Sequence, residues 1–255
     1  MQISHEVPLS LLDLSRTFND YDYALVHLYE TEPEYLKFYK DSIEKGREVI
    51  LDNSVFELEE AFDAERFKYW IKETSPTYYI IPDVLDNSEL TIKNVKEWDK
   101  AGIPGQTIGV IQGETFNKAL ECYNEIKDHV DRIAISFNCK FYEQEEGESV
   151  LHKWMLGRIR FVNYLATTKN TKPMHLLGCS LPQEFKFYRD PKFDFIQSVD
   201  TSNPVVHAIN DIKYTDGGLD TKVSTKLIEY MHKTEFDMDL LWYNVEKFRV
   251  FCNGE

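Results

Sequence analysis

Short, nearly continuous apolar runs alternate along the chain with longer stretches whose apolar residues recur every three or four positions. The short runs are residues 23–28, 48–51, 78–82, 107–111, 132–136, 174–178 and 193–199, with a weaker eighth at 205–209. Runs of this length without polar alternation predict parallel strands covered on both faces. The longer stretches predict helices. Residues 33–45 carry Tyr35, Leu36, Tyr39 and Ile43 on one face, and 63–73 carry Phe67, Trp70 and Ile71. Residues 88–101 carry Leu90, Ile92, Val95 and Trp98 behind Ser88 as a cap, and 115–129 carry Phe116, Leu120 and Ile126. Further helices are expected at 151–166, 181–188, 226–231 and 238–251. Gly46 and Gly102 stand where helices end on a left-handed residue.

Repeated strand–helix units with no evident linker imply α/β architecture. Seven or eight such units in 255 residues fit one (β/α)8 TIM barrel spanning residues 1–255. An open Rossmann-like sheet is the second choice. An acidic surface loop is expected at 141–149, around Glu143, Glu145, Glu146 and Glu148. No GxGxxG or GxxxxGK[ST] run supports a dinucleotide or P-loop site. Cys122, Cys139, Cys179 and Cys252 form no CxxC pair, so neither a disulfide framework nor a zinc knuckle is expected. The first residues lack a basic, then apolar, leader pattern, and no apolar run is long enough to cross a bilayer. The expectation is a cytoplasmic protein without membrane association.

In a barrel of this kind chemistry gathers at the C-terminal strand ends. Those ends here read Leu51-Asp52-Asn53-Ser54, Pro82-Asp83-Val84, Ile111-Gln112-Gly113, Ser136-Phe137-Asn138, Leu177-Gly178-Cys179 and Ser198-Val199-Asp200-Thr201. A single strand-end Asp or Asn is as well explained by capping the next helix. Three carboxylates and an amide in the same relative position suggest one mouth lined with them. A carboxylate can attack an electrophilic sugar carbon, and a second can carry a proton. Asp and Gln edges suit a planar, purine-like heterocycle, and Phe56 could stack on its ring.

At these residues the chain resembles the tRNA-guanine transglycosylase family, including the relatives that insert 7-deazapurines into DNA. Residues 51–57, Leu-Asp-Asn-Ser-Val-Phe-Glu, are similar to the family's D-S-G-G-[FY]-Q segment. Gly109-Val110-Ile111-Gln112-Gly113 is similar to G-[IV]-[VI]-Q-G, and His175-Leu176-Leu177-Gly178-Cys179 to [YH]-L-M-G-V-G. The resemblance runs in order from about residue 47 to 220. It implies a TIM barrel and a covalent enzyme–ribose intermediate. By the same resemblance Asp200 is the nucleophile and Asp52 the proton-handling carboxylate. Asp83, Gln112, Gly113, Phe56, Ser136, Leu177 and Gly178 line the base pocket. The chain departs from the pattern at Ser54-Val55, which replaces a double glycine, and at Glu57, which replaces Gln. The family's C-x-C-x2-C…H zinc site is missing, so no metal is expected, and no cofactor.

Charge sharpens the substrate question. The net charge is -15, which argues against a general nucleic-acid coat protein. Yet residues 151–192 hold Lys153, Arg158, Arg160, Lys169, Lys172, Lys186, Arg189 and Lys192 against only Glu184 and Asp190. These eight are the candidates for contacting a nucleic-acid backbone. The resulting expectation is exchange of a guanine in DNA, in preference to tRNA, for a 7-deazaguanine-type base. The alternatives are a hydrolase of free modified nucleosides and a non-catalytic partner of an active transglycosylase. A protein partner or a homodimer stays open.

Overall fold

The structure, a computed structural model, describes residues 1–168 and 172–254. Its strands are β1 (Gln2–Ser4), β2 (Asp22–Leu25), β3 (Val49–Asp52), β4 (Tyr78–Ile80), β5 (Gln106–Ile111), β6 (Arg132–Ser136), β7 (Met174–Leu177) and β8 (Ile196–Asp200). They form one sheet in the order β1-β8-β7-β6-β5-β4-β3-β2, with helices between successive strands. This is the compact (β/α)8 class that the pattern predicts. By internal contacts the chain divides into two units, Asp20–Ile135 and Met1–Asn19 with Ser136–Glu255.

In the 20–135 unit, β2 to β6 pair in parallel, with Leu25 opposite Asp52 and Ile80 opposite Ile108. Helices Pro33–Glu44, Ala64–Thr74, Ser88–Ala101 and Phe116–Ile126 alternate with them. The expected helix starts hold with one change of cap. Asp63 and Thr115 accept from the N–H groups of Arg66 and Lys118. Asn87, not Ser88, caps the third helix, accepting from Leu90 N; Ser88 is buried inside its first turn. Gly46 and Gly102 take positive φ, as their placement implies. At the N-terminal side of β2, buried Asp22 accepts two hydrogen bonds from Arg47. That pair fastens the strand end opposite to Asp52.

In the other unit, β8 pairs with β1 on one side and β7 on the other. Here the eighth strand differs from expectation. Residues 205–209 belong to helix Asn203–Ile209, and the missing strand is β1 at the start of the chain. Val205, Val206 and Ala208 are fully buried, and a helix buried all round reads like a buried strand. Pro204 at its first turn, where no backbone donor is needed, is the local signal for the helix. The stretch 181–188 folds as a 3-10 helix, Pro182–Arg189, and 226–231 reduces to Leu227–Glu229.

The acidic 141–149 stretch is not wholly a solvated loop. Lys140–Gln144 is a 3-10 helix, and Phe141 and Tyr142 are core residues. Gly157 permits this, because a Cβ there would lie 2.5 Å from the Tyr142 side chain. No helix among the described residues is long and apolar enough to cross a membrane.

Candidate active site: two carboxylate clusters

The first cluster lies in the 20–135 unit, after β3, β4 and β5. Asp52 ends β3, where the Tyr23 hydroxyl from β2 and the Ser54 backbone N–H both donate to its carboxylate. Asn53 follows it, buried. The Asn53 amide donates to Asp83 Oδ1 at 2.8 Å and to the Ile81 carbonyl at 3.1 Å, and its Oδ1 accepts from Val55 N at 3.0 Å. Gln112, directly after β5, donates to Asp83 Oδ2 at 2.6 Å and accepts from Asp86 N at 3.0 Å. Both oxygens of Asp83 are therefore held by side-chain amides. Burial pushes the Asp83 carboxyl above the ordinary range, and the Asn53 and Gln112 bonds oppose that shift.

One replacement relative to the family pattern has a structural reading. Ser54 adopts the left-handed conformation, φ 62°, which a glycine takes without strain. The backbone shape of a glycine turn is thus kept by a serine, fastened by the Asp52 and Asn53 side chains on the next N–H groups. Gly113 is required by close approach, since a Cβ there would lie 2.5 Å from Ala119 N. Phe56 is half-buried in the short helix Val55–Leu58. His27, two residues beyond β2, donates its backbone N–H toward Ser54 Oγ at 3.4 Å. Burial lowers its imidazole to about 4, which keeps it neutral at physiological pH.

The second cluster lies on β7 and β8. A register shift between Met174 and His175 sets Met174 opposite Ile196 but His175 opposite Ser198. Gln197, the extra residue, faces solvent. The shift puts His175, Ser198 and Asp200 on one face, where a one-residue slip would have reversed them. His175 Nδ1 lies 2.8 Å from Ser198 Oγ, and Nε2 lies 2.9 Å from Asp200 Oδ1. A carboxylate oxygen accepts, so the proton of that bond lies on Nε2, and the Ser198 hydroxyl meets the ring at Nδ1. Gly178 N also approaches Asp200 Oδ1, at 3.4 Å. Asp200 Oδ2 has no hydrogen-bond partner among the described residues, and the side chain keeps 7% exposure.

Gly178 is itself held in place. It takes φ 66°, and a Cβ would lie 2.5 Å from the Phe137 ring. Arg158 donates to the carbonyls of Leu177 and Gly178 at 3.0–3.1 Å and pairs with Glu184 at 2.6 Å. Tyr188 donates to the same Glu184. Ser136, at the end of β6, donates to Asn138 Oδ1 at 2.7 Å and receives the Tyr142 hydroxyl on its carbonyl.

The basic residues are not all available at the surface. Arg158 is fully buried in its pair with Glu184, so it cannot reach a nucleic-acid backbone. Arg160 is exposed but paired with Glu145 at 2.6 Å. Lys153 reaches the Glu143 carbonyl and Lys186 the Asp216 carbonyl. Arg189 donates to the carbonyls of Val250 and Phe251. Arg189 and Lys192 are exposed on the segment that enters β8, at the other end of that strand from Asp200. Lys172 is half-buried just before β7, and Lys169 lies outside the described residues.

Sequence reasoning passed over His175, Asn53 and Tyr23 as site residues, although the first two lie within the motif segments. The available signal was a polar side chain inside an apolar strand, since His175 and Ser198 interrupt runs that are otherwise core. Among the described residues no group of three or more His, Cys, Asp or Glu is arranged to hold a metal ion. The chain matches no protein-family model and no curated protein.

Proposed function

We propose that the protein is a base-exchange transglycosylase. It replaces a guanine in nucleic acid, DNA in preference to tRNA, with a 7-deazaguanine derivative through a covalent Asp200–sugar ester. The observation that carries this reading is the asymmetry of Asp200. One oxygen is fixed by His175 Nε2–H and Gly178 N–H, while the other has no partner among the described residues. A carboxylate aimed by one oxygen and free at the other suits nucleophilic attack.

In the proposed reaction Asp200 Oδ2 bonds to C1′ as the C1′–N9 bond breaks, and the electron pair leaves with the base. The proton that the departing base gains and the incoming base loses is assigned, by the family resemblance alone, to Asp52, which holds the Tyr23 hydroxyl. N9 of the incoming base then attacks C1′ and releases the Asp200 carboxylate. Gln112 has one amide N–H left after its bond to Asp83, and this is the edge offered to the heterocycle. The target base must leave its stack to be reached. The preference for DNA rests on the family resemblance and the missing zinc segment.

Incubation with labelled 7-deazaguanine bases and DNA or tRNA tests the reading. Label entering the polymer, with a mass adduct on Asp200, is the expected result. No label in either polymer would overturn it, and free base released from nucleosides alone would favour the hydrolase.

A further inference from the structure

Lys222, outside the basic 151–192 segment, stands beside Asp200's partners. Its Nζ donates to the Cys179 carbonyl at 2.7 Å and lies 3.7 Å from the Phe137 ring centre. Gly178, which approaches Asp200 through its N–H, is the residue before Cys179. Lys222 and the carboxylate that the proposed reaction uses thus contact adjacent residues of one dipeptide, Gly178-Cys179.

The loop that carries Lys222 is built to hold it there. On one side Gln183 grips Leu219 by two hydrogen bonds, 2.8 Å to its carbonyl and 3.0 Å from its N–H. Gly218, at φ 111°, makes that grip possible, since a Cβ would overlap Gln183 Oε1 at 2.0 Å. On the other side the Ser202 hydroxyl donates to the Thr225 carbonyl at 2.7 Å.

Yet the charge has no carboxylate partner within ion-pair distance among the described residues. Arg158, the other cation at Gly178, is neutralised by Glu184; Lys222 is not. Burial, with a smaller contribution from Arg158, draws its amine down to about 8 against the opposing pull of Cys179, Glu184 and Glu6. At neutral pH the group is still a cation. It has one carbonyl and one ring face as partners, with N–H donors left over.

We propose that the Lys222 ammonium binds the phosphate attached to the sugar on which Asp200 acts, so that the substrate is a nucleotide unit and not a free nucleoside. The proposal rests on the transglycosylase reading of Asp200. An anion supplied by the substrate completes what the protein leaves open, a fixed and half-buried cation with no carboxylate at ion-pair distance among the described residues.

The test measures binding and exchange separately. Deoxyguanosine, deoxyguanosine 5′-monophosphate and a short single-stranded oligodeoxynucleotide with one guanine are titrated calorimetrically into wild type, K222M and K222R. At least one phosphate-bearing ligand is expected to bind wild type about tenfold or more tighter than deoxyguanosine. K222M should erase that preference and K222R restore much of it. Thermal unfolding confirms that each variant is folded, and K222R carries the comparison if K222M is not. Tight binding of the monophosphate assigns the site to the sugar's own 5′-phosphate; preference for the oligonucleotide alone assigns it to the strand linkage. A preference that survives K222M, or no preference in wild type, overturns the proposal. Exchange of labelled base is followed in the same proteins. Lys222-dependent phosphate binding without exchange would leave the anion site standing and remove the transglycosylase reading. Exchange that is equal in wild type and K222M would do the reverse.

Discussion

Asp83 and Asp200 are buried to nearly the same extent, 2% and 5% exposed, and both stand at or just beyond the C-terminal end of a parallel strand. Their hydrogen bonds differ. Asp83 has an amide on each oxygen, from Asn53 and Gln112. Asp200 has the His175 imidazole and a backbone N–H converging on one oxygen, and its other oxygen unclaimed among the described residues. Burial therefore does not separate the two carboxylates. The distribution of donors does, and on the proposed reading it makes Asp200 the reacting group, because a lone pair already holding a strong donor is a poor nucleophile and an unclaimed one is not.

The sharpest way to break this comparison is to make both carboxylates amides. Asp200→Asn should lower base exchange by about 10³-fold or more, while Asp83→Asn should act mainly on affinity for the base. A KM and kcat series on the two variants reads the difference. Equal losses of kcat would mean that the two carboxylates do not divide the work as their hydrogen bonds imply.

The next largest effect concerns the support beneath Asp200. Arg158→Met should destabilise the protein by about 3–5 kcal/mol, since it leaves Glu184 charged, buried and unpaired. It also releases the Leu177 and Gly178 carbonyls. Chemical denaturation checks the size, and no comparable loss is expected from Arg160→Met, whose pair is at the surface.

The first cluster makes a prediction in pH. The Asp83 carboxyl is raised by burial, so the folded state binds its proton more readily than the unfolded chain. Its contribution to stability is complete below the ordinary carboxylate value and is lost as pH rises through the raised folded value. Asp83→Asn should flatten that part of the stability–pH curve, measured by denaturant titration from acid to neutral pH. An unchanged slope would show that Asp83 is not the group responsible.

The smallest effect tests the turn between Asp52 and the rest of its cluster. Ser54→Gly should relieve the left-handed strain and raise stability by about 0.5–1 kcal/mol. A Tm that falls instead would mean that the Ser54 hydroxyl, near His27 N, matters more than its backbone.

Much of the scaffold is legible in the amino-acid pattern. Seven of the eight strands are visible as apolar runs, and Asp52, Asp83, Gln112 and Asp200 are visible as their polar ends. The eighth is not, because Gln2–Ser4 is too short to show a pattern and the helix containing Pro204 is buried along nearly its whole length. The basic segment misled for a related reason. Composition counts Arg158 as a surface charge, but Glu184, 26 residues away, takes it into the core.

The chain's own order of residues settles what is local: strand and helix periodicity, the glycines at left-handed or crowded positions, and the polar residues at or shortly after the ends of β3, β4, β5 and β8. Which of those polar groups meet is a matter of tertiary structure. The register shift that pairs His175 with Ser198, and the loop that lays Lys222 over Phe137, depend on residues more than 20 positions apart. Hydrogen bonds act over about 3 Å, and that proximity is set by strand register and loop placement, not by neighbours along the chain.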